Sequence, residues 1–357
     1  MVRQFKWREI TTRNKFASFL DALLKGYGQV LICLNPITGF LLAAVIFFFS
    51  RTVGCLSLSG VLVSTLTAIF LRAKDIHIKN GVYGFNGVIL GIAWTWFLKV
   101  NCISLLLFIG ITCLSSVIIM SLIQINSKTR VNLPFLSVPS VLLIWLMVIF
   151  LKYFAIFSSI AGPDQGIVLY LENFQANFFS LTQAFSFPLF LKTFSRHLIV
   201  LFCIWTAIAF HSRLSFLFAF LFFFVTLMIV YILGGALEFQ NIEFYLYNTI
   251  PCGIALSGTF LVLTRPVVLL SLLGVILCAV ITFLGLHFSP FPVFVFPFNF
   301  VTILFIWLVK SGWLKREQEF LAVPMDFVST PEVGLSWLKG EVYAENYWRE
   351  IERMRYK

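Results

Sequence analysis

The sequence predicts an all-α integral membrane protein with about ten transmembrane spans, arranged as two inverted halves. Three observations predict it: the composition, ten apolar stretches, and three motifs that recur in order. Of the 357 residues, 60% are hydrophobic and only 11% are charged, whereas soluble domains carry about 25% charged residues. A water-soluble core of this size cannot bury so much apolar surface. The composition therefore excludes a soluble enzyme and a disordered chain, and it requires a bilayer as the solvent.

The N-terminus, MVRQFKWREITTRNKF, is basic and amphipathic, and it lacks the apolar core of a cleavable signal peptide. Ten apolar stretches follow it, and a helix needs about 20 such residues to cross the hydrocarbon. A first group lies at 37–50, 53–72, 84–100, 102–124 and 133–152, and a second at 194–212, 214–233, 247–264, 267–287 and 291–309. We expect the short first stretch to borrow neighbouring residues or to thin the bilayer locally.

Basic residues set the expected orientation of these spans. With the basic N-terminus in the cytoplasm, the inside segments carry Arg72, Lys74, Lys128, Arg130 and Arg265 among others, which satisfies the positive-inside bias. The first group of spans then starts inside and the second group starts outside, so the two halves are inverted. Both termini are expected in the cytoplasm, at an inner or plasma membrane.

Three short motifs recur in the same order in the two halves. Residues 29–30 recur as 183–184, residues 83–86 as 245–248, and residues 134–139 as 292–297, at offsets of 154, 162 and 158 residues. Each motif interrupts or borders an apolar stretch with Pro, Gly or Asn, so the freed backbone groups need partners inside the protein or along a water-filled path. Broken helices at matching positions of inverted repeats indicate a binding site near the midplane. The alternative interpretation is that these Pro, Gly and Asn residues only form ordinary loops at helix ends.

Several kinds of chemistry lack the residues that they require. No carboxylate lies within a predicted span, which argues against proton- or sodium-coupled transport. The nearest acid, Asp21, is expected on the solvated face of an amphipathic helix before the first motif. The four histidines fall near span ends, and the seven cysteines form no CxxC pair. No nucleotide-binding or hydrolase motif occurs, so we expect no catalytic residues, no metal, no cofactor and no nucleic-acid partner, and the chain is not predicted to be an enzyme.

The interrupting motifs resemble those of the urea transporter family. Gly28-Gln29-Val30 followed by Asn-Pro-Ile-Thr-Gly at 35–39 resembles the first pore-helix motif of that family, and residues 81–87 resemble its G-L-Y-G-[FY]-N-[GA] signature. Residues 133–139 resemble its L-P-x-x-T-x-P-F motif, and residues 329–332 its T-P-E ending. The resemblance runs from about residue 20 to residue 335 and is sharper in the first half.

This resemblance implies a fold and a function. The fold has two inverted five-helix repeats, each with a tilted re-entrant half-helix: residues 1–152 hold the first repeat and the basic N-terminus, 153–179 a linker, 180–310 the second repeat and 311–357 a cytoplasmic tail. Family members are homotrimers with a pore through each protomer. The implied function is passive, channel-like permeation of urea through a narrow filter of aromatic slots and oxygen ladders.

The resemblance also implies which residues line the filter. Gln29 and Gln183 would stand at pore-helix starts, followed by Val30 and Ala184. Phe85 and Tyr247 would form one wall of each slot, Ile32 and Ser186 the opposite wall, Ile89 and Pro251 the flanks, and Ser137 and Val295 the centre. The chain departs from the family pattern where Ile32 and Ser186 replace aromatic residues, where Val295 replaces a threonine, and where Gln183 stands at a position that is often acidic.

These departures leave the solute open. A slot with apolar faces and a row of oxygen acceptors replaces the water that urea's N–H groups lose, whereas an ion pays far more to dehydrate there. Because Val295 carries no hydroxyl and each slot lacks one aromatic face, the pore is also compatible with a formamide-like amide, ammonia or water. A membrane protein with a degenerate, closed pore is a further alternative.

Overall fold

The computed structural model describes residues 14–98, 100–129, 131, 133–153, 196–234, 238–313 and 330–332. Within these residues the chain is helical and contains no β-strand. The described α-helices are α1 (Lys15–Gly28), α2 (Pro36–Phe49), α3 (Arg51–Phe70), α4 (Asp75–Lys79), α5 (Val82–Phe97), α6 (Cys102–Asn126), α7 (Val138–Tyr153), α8 (Arg196–His211), α9 (Arg213–Gly234), α10 (Ile242–Ile254), α11 (Arg265–Phe288) and α12 (Phe296–Lys310).

A helix occupies each of the ten predicted apolar stretches, from α2 and α3 through α5 to α12. Four of the described helices, α3, α6, α9 and α11, are long and apolar enough to cross a membrane on their own. The pair of α1 and α2 also passes this test, although its two parts are bent by 75°. The prediction of an all-α membrane protein is therefore confirmed, whereas the count of ten spans stays a prediction.

The bend between α1 and α2 is built by the first motif. One 3-10 turn, Gln29–Leu31, follows α1 and ends at Ile32, whose φ of 57° lies in the left-handed region. A residue in this conformation ends a helix, because its own N–H and the N–H of the following residue bond to carbonyls of the preceding turn. The left-handed conformation is costly for a β-branched residue such as isoleucine. The N–H of Cys33 donates to Gly28 O at 3.0 Å, and the side chain of Asn35 caps the next helix by accepting from Ile37 N at 2.9 Å.

The first motif differs from its expected place in one respect. Gln29 was expected at the start of a pore helix, but it lies at the C-terminal end of α1. The reason is local: the Asn14 side chain caps the start of α1 well before the motif, and the motif itself carries the stop. Its side-chain amide Nε2 donates to the carbonyl of Asn80, which ties the bend to the segment that leads into α5.

Asp21 also differs from its expectation. It is only 6% exposed, so the predicted solvated face is wrong. Its carboxylate pairs with Lys25 Nζ at 2.5 Å, one helical turn further along α1. A buried carboxylate needs such a partner because an unpaired charge away from water is very costly. Helix α1 therefore packs against the protein on the face that carries Asp21.

Small residues let α3 and α5 cross closely. A Cβ added to Gly60 would lie 2.1 Å from Gly87 O, and one added to Gly87 would lie 2.1 Å from Gly60 O. Close backbone approach at small residues is a common way for helices to pack in a bilayer, where burial of apolar surface gives no driving force. Gly81, at φ 70°, turns the chain into α5 in a conformation that other residues rarely adopt.

The two halves of the chain contact each other through named polar groups. Thr38 Oγ1 on α2 donates to Ala207 O on α8 at 2.7 Å. Trp145 Nε1 on α7 donates to Pro292 O at 2.9 Å, and its ring stacks on Phe291 with centroids 5.4 Å apart. One buried apolar cluster contains residues of both halves. The halves thus share one core.

The segment 330–332 reaches back to the second half. Glu332 accepts hydrogen bonds from Leu214 N at 2.9 Å and from Ser212 Oγ at 2.7 Å, at the N-terminus of α9. Pro331 packs against Gly258, where an added Cβ would lie 2.6 Å from the proline ring. Gly258, at φ 137°, belongs to the π-helical segment Ala255–Thr259 that ends α10. The T-P-E segment therefore caps the N-terminus of α9 and packs against the break at the end of α10.

Candidate functional site

The turn that precedes α7 is held by Asn86 of the second motif. Asn86 Nδ2 donates to Leu136 O at 3.2 Å, and its Oδ1 accepts from Ser140 Oγ at 2.6 Å. Leu136 has a φ of 45°, so the chain reverses there and α7 begins two residues later. A side-chain amide can satisfy a turn and a helix start together because it carries both a donor and an acceptor.

The turn that precedes α12 is built in the same way by Asn248. Asn248 Nδ2 donates to Phe294 O at 2.8 Å, and its Oδ1 accepts from Phe298 N at 3.1 Å. Phe294 has a φ of 46°, nearly the value of Leu136. The offsets of 162 residues between the asparagines and 158 residues between the turns equal those of the sequence motifs. The recurring motifs thus correspond to equivalent local structures.

Ser137 and Val295 follow these turns directly and are both buried. Ser137 donates to Asn299 Oδ1 twice, from its Oγ at 3.0 Å and from its backbone N at 3.2 Å. Ser137 therefore contacts the helix that follows Val295, because Asn299 lies on α12 one turn after Val295. This contact joins the halves at the position where the sequence analysis placed the centre of the filter.

Asn299 is a residue that the sequence analysis missed. It is the only asparagine in the apolar sequence of α12, FPFNFVTILFIWLVK, and it is 2% exposed. Its Nδ2 has no hydrogen-bond acceptor among the described residues. The signal that could have found it is its spacing of four residues from Val295, because residues four apart share a helix face.

Five of the predicted filter residues are apolar and buried and share one cluster, whereas Gln29, Tyr247 and Pro251 are only partly buried. Val30, Ile32, Phe85, Ile89 and Val295 belong to the same buried cluster, against which Tyr247 packs. The structure therefore brings the predicted residues of both halves into one region. Gln183, Ala184 and Ser186 lie outside the described residues.

A small cavity of about 50 Å³ connects residues of the two halves. Val30 of the first half lines it together with Tyr247 and Pro251 of the second half. Its other lining residues are Leu31, Ile204, Trp205, Ile208, Ala219, Leu246 and Ile250. The family resemblance groups slot residues within each half, so the pairing of Val30 with Tyr247 and Pro251 is not indicated by the sequence.

Pro251 gives this cavity a distinctive wall. It lies inside α10 and has no N–H, so it cannot donate to the carbonyl of Tyr247, four residues earlier. Carbonyls released in this way in a membrane helix are satisfied by protein groups or by a water-filled path. The lining side chains give the cavity aromatic and aliphatic faces.

The described residues on the walls of this cavity carry no charge. None of its lining residues is Asp, Glu, Lys, Arg or His. Within the described part of the chain, no three His, Cys, Asp or Glu residues stand close enough to hold a metal ion. A site of low polarity without fixed charge disfavours ions, whose dehydration it cannot compensate, and accepts small neutral molecules.

A larger apolar groove of about 420 Å³ lies between α7 and α12. Its walls include Trp145, Phe296, Asn299 and Trp307. Leu142 and Phe300, on the same walls, are about half exposed. The groove is apolar apart from Asn299, and none of its described lining residues is charged.

Two comparisons with known proteins agree with each other. A family model described as urea transporter matches residues 20–310. Urea transporter 1 of Rattus norvegicus is 35% identical to this chain over 74 residues, which are 21% of this chain and 19% of that protein. The match thus spans about a fifth of the length of this relative. The family match includes both equivalent turns and their asparagines.

Proposed function

The chain belongs to the urea transporter family, and we propose from this membership that it conducts urea passively across a membrane, down the solute's gradient. The family match over residues 20–310 carries the proposal. Two features of the described residues support it: the lining of the cavity between the halves carries no charged side chain, and the long helices α3, α6, α9 and α11 contain no carboxylate that offers a coupling site, while the buried Asp21 of α1 is paired with Lys25.

The pathway that we propose runs between two inverted repeats. From the first half it would be lined by Gln29, Val30, Ile32, Phe85, Ile89 and Ser137. From the second half it would be lined by Gln183, Ala184, Ser186, Tyr247, Pro251 and Val295. The equivalent turns at Leu136 and Phe294 support a repeat. The contact of Val30 with the cavity of Tyr247 and Pro251 supports a path at the junction of the halves.

The physical basis of selection is the shape and hydrogen bonding of urea. Urea is flat and neutral, so it fits between apolar faces, and its N–H groups need acceptors when water is removed. An unpaired N–H group in such a place costs about 1–3 kcal/mol. A carbonyl such as that of Tyr247, and the hydroxyl of Ser137, would supply acceptors along one edge.

We further propose, from the family resemblance, that the protein is a homotrimer with one pore in each protomer. The membrane would be an inner or plasma membrane, with both termini on the cytoplasmic side. The excess of basic residues in the segments assigned to the inside supports this orientation.

Flux into proteoliposomes tests the proposed function directly. The full chain is purified and reconstituted, and urea entry is followed by stopped-flow light scattering against empty vesicles. We expect urea flux well above that of empty vesicles, without any requirement for a proton or sodium gradient. Urea entry at the rate of empty vesicles would reject urea as the solute.

A second candidate solute follows from Val295, which is buried at the expected centre and carries no hydroxyl. With fewer acceptors for urea's four N–H groups, a smaller solute such as formamide, ammonia or water would be favoured. The same vesicles discriminate these cases, because a preference for formamide or ammonia over urea would support this alternative. Absence of flux for all of these solutes would instead indicate a closed pore.

A further inference from the structure

The buried amide of Asn299 leaves one strong donor unused. Its Oδ1 accepts two hydrogen bonds from Ser137, whereas its Nδ2 has no acceptor among the described residues, although the residue is only 2% exposed. Leaving a buried amide N–H unpaired costs about 1–3 kcal/mol. Such a group in a native fold calls for a physical reason, of which a bound molecule is one.

The orientation of this amide is fixed by its partner. Oxygen and nitrogen of an asparagine side chain are exchanged by a flip, so their assignment must come from the hydrogen-bond network. Here the backbone N–H of Ser137, which can only donate, points at the Asn299 side chain from 3.2 Å. The atom that faces it must therefore be the oxygen, and the NH₂ group must point away from Ser137 N.

The amide also stands where the filter lacks a polar group. Asn299 N donates to Val295 O at 3.1 Å, so Asn299 lies one helical turn beyond Val295 on the same face of α12. Side chains on a helix lean toward its N-terminus, which brings the Asn299 amide back to the level of Val295. An amide donor from residue 299 thus lies near the position at which residue 295 carries no hydroxyl.

We propose that Asn299 contacts the solute and donates from Nδ2 to its carbonyl oxygen, while Ser137 Oγ accepts from an N–H of the same solute. The Ser137 hydroxyl proton is already directed to Asn299 Oδ1, so the remaining lone pairs of Oγ are the part that faces a solute. Together the two side chains present one acceptor and one donor. That pair matches the adjacent N–H and C=O of an amide or urea, and it does not match ammonia, which has no carbonyl.

This inference rests on the proposed function, and a pair of solutes separates the two. Thiourea has the same N–H groups as urea but a sulfur in place of the oxygen, which is a weak acceptor. Wild-type protein, Asn299→Leu and Ser137→Ala are reconstituted, and the permeabilities of urea and thiourea are measured in each. Thr112→Val, which removes a buried hydroxyl on α6 that has no partner among the described residues, is the matched control.

We expect Asn299→Leu to lower urea permeability about tenfold, as the loss of a hydrogen bond to the carbonyl predicts, and to lower thiourea permeability much less. Ser137→Ala is expected to lower both permeabilities alike, because it removes an acceptor that both solutes use. Thr112→Val should leave both at wild-type values.

If Asn299→Leu lowers the permeabilities of urea and thiourea equally, or lowers neither, the inference is overturned. The proposed function still stands in that case, provided that the wild type conducts urea. A wild type that conducts no urea would overturn the proposed function itself. Should Asn299→Leu not fold, Asn299→Thr serves in its place, because its hydroxyl oxygen still gives Ser137 an acceptor while its shorter side chain withdraws the donor. The same selective loss of urea is expected, to a smaller extent.

Discussion

Asn86 and Asn248 are the buried side chains on which the turns before α7 and α12 depend. Each donates to the carbonyl of a residue with positive φ and accepts from the first turn of the following helix. Both residues stand in a motif that the sequence analysis singled out, but their role could not be predicted. Their partners lie about 50 residues away in sequence, so no local pattern indicates them.

Replacing Asn248 with leucine, which has nearly the same shape, tests this role. Phe294 O and Phe298 N would lose their side-chain partner inside the protein. We expect the free energy of unfolding to fall by about 2 kcal/mol, the cost of leaving buried polar groups unpaired. Thermal unfolding in detergent measures it, with the exposed substitution Ser121→Ala as the neutral control. A melting temperature equal to the wild type would show that the turn does not need Asn248.

Asn299 was missed for a related reason. Its contact with Ser137 spans 162 residues, and a single asparagine in an apolar helix carries no periodic signal. The family resemblance pointed to Val295 as the central residue, and the actual polar group lies one turn further along the helix. Spacing within a helix could have suggested it, but only the fold shows that Ser137 is its partner.

The helices were predictable because long apolar runs have one stable solution in a bilayer. The breaks between helices were harder to predict. The first motif was recognised as an interruption, but the bend of 75° and the position of Gln29 after α1 depend on the left-handed conformation of Ile32. The sequence does not indicate this conformation, because isoleucine rarely adopts it. The burial of Asp21 depends likewise on which face of α1 packs inward.

The close crossing of α3 and α5 gives a prediction with a control in the same half. Gly60→Ala places a methyl group 2.1 Å from Gly87 O, so the helices must move apart. We expect a clear loss of stability, of about 1–3 kcal/mol, as for other overpacked sites. Gly110→Ala on α6 meets nothing within 4 Å and should be neutral or slightly stabilising, since alanine favours helix. Equal melting temperatures for the two variants would contradict the described crossing.

Glu332 closes the N-terminus of α9, and its ionisation should set part of the pH dependence of stability. Burial raises the pKa of the Glu332 carboxyl, but the hydrogen bonds from Leu214 N and Ser212 Oγ outweigh burial and hold the pKa below its usual range. A carboxyl whose pKa is lowered on folding stabilises the protein above the unfolded pKa of about 4.3, and this contribution is lost as the pH falls through the folded pKa.

Glu332→Gln should therefore lower the melting temperature at pH 7, by a free energy of about 1 kcal/mol, typical of a helix cap. The difference from the wild type should shrink as the pH is lowered to 3. Asp75→Asn, an exposed acid in the first turn of α4, is the control and should change little. A constant difference between Glu332→Gln and the wild type at all pH values would contradict the role of the ionised carboxylate.

For the whole molecule, the sequence predicts an organisation in two halves, which stays a prediction, but it does not indicate the contacts between the halves. The recurring motifs and the distribution of basic residues predicted two inverted halves. The pairing of Val30 with Tyr247 and Pro251, and of Ser137 with Asn299, arises where the halves meet. Neither pairing could be predicted, because a repeat pattern says what is equivalent and not what is adjacent.

Thiol labelling tests the proposed inversion. In two inverted repeats, the segments after α6 and after α11 would be equivalent and would lie on opposite sides of the membrane. Lys128→Cys and Ser289→Cys, both at exposed positions, are made singly in a cysteine-free background. We expect a membrane-impermeant maleimide, applied to intact cells, to label residue 289 and not residue 128, and to label residue 128 after permeabilisation. Labelling of both from the same side would contradict inverted halves.

A structure of the full chain solved by electron cryomicroscopy in the presence of urea tests the central claim most directly. We predict density for a flat solute between the halves, with its carbonyl oxygen within hydrogen-bond distance of Asn299 Nδ2 and an N–H directed at Ser137 Oγ. Halves of like orientation, or a passage that holds solute far from Ser137 and Asn299, would contradict it.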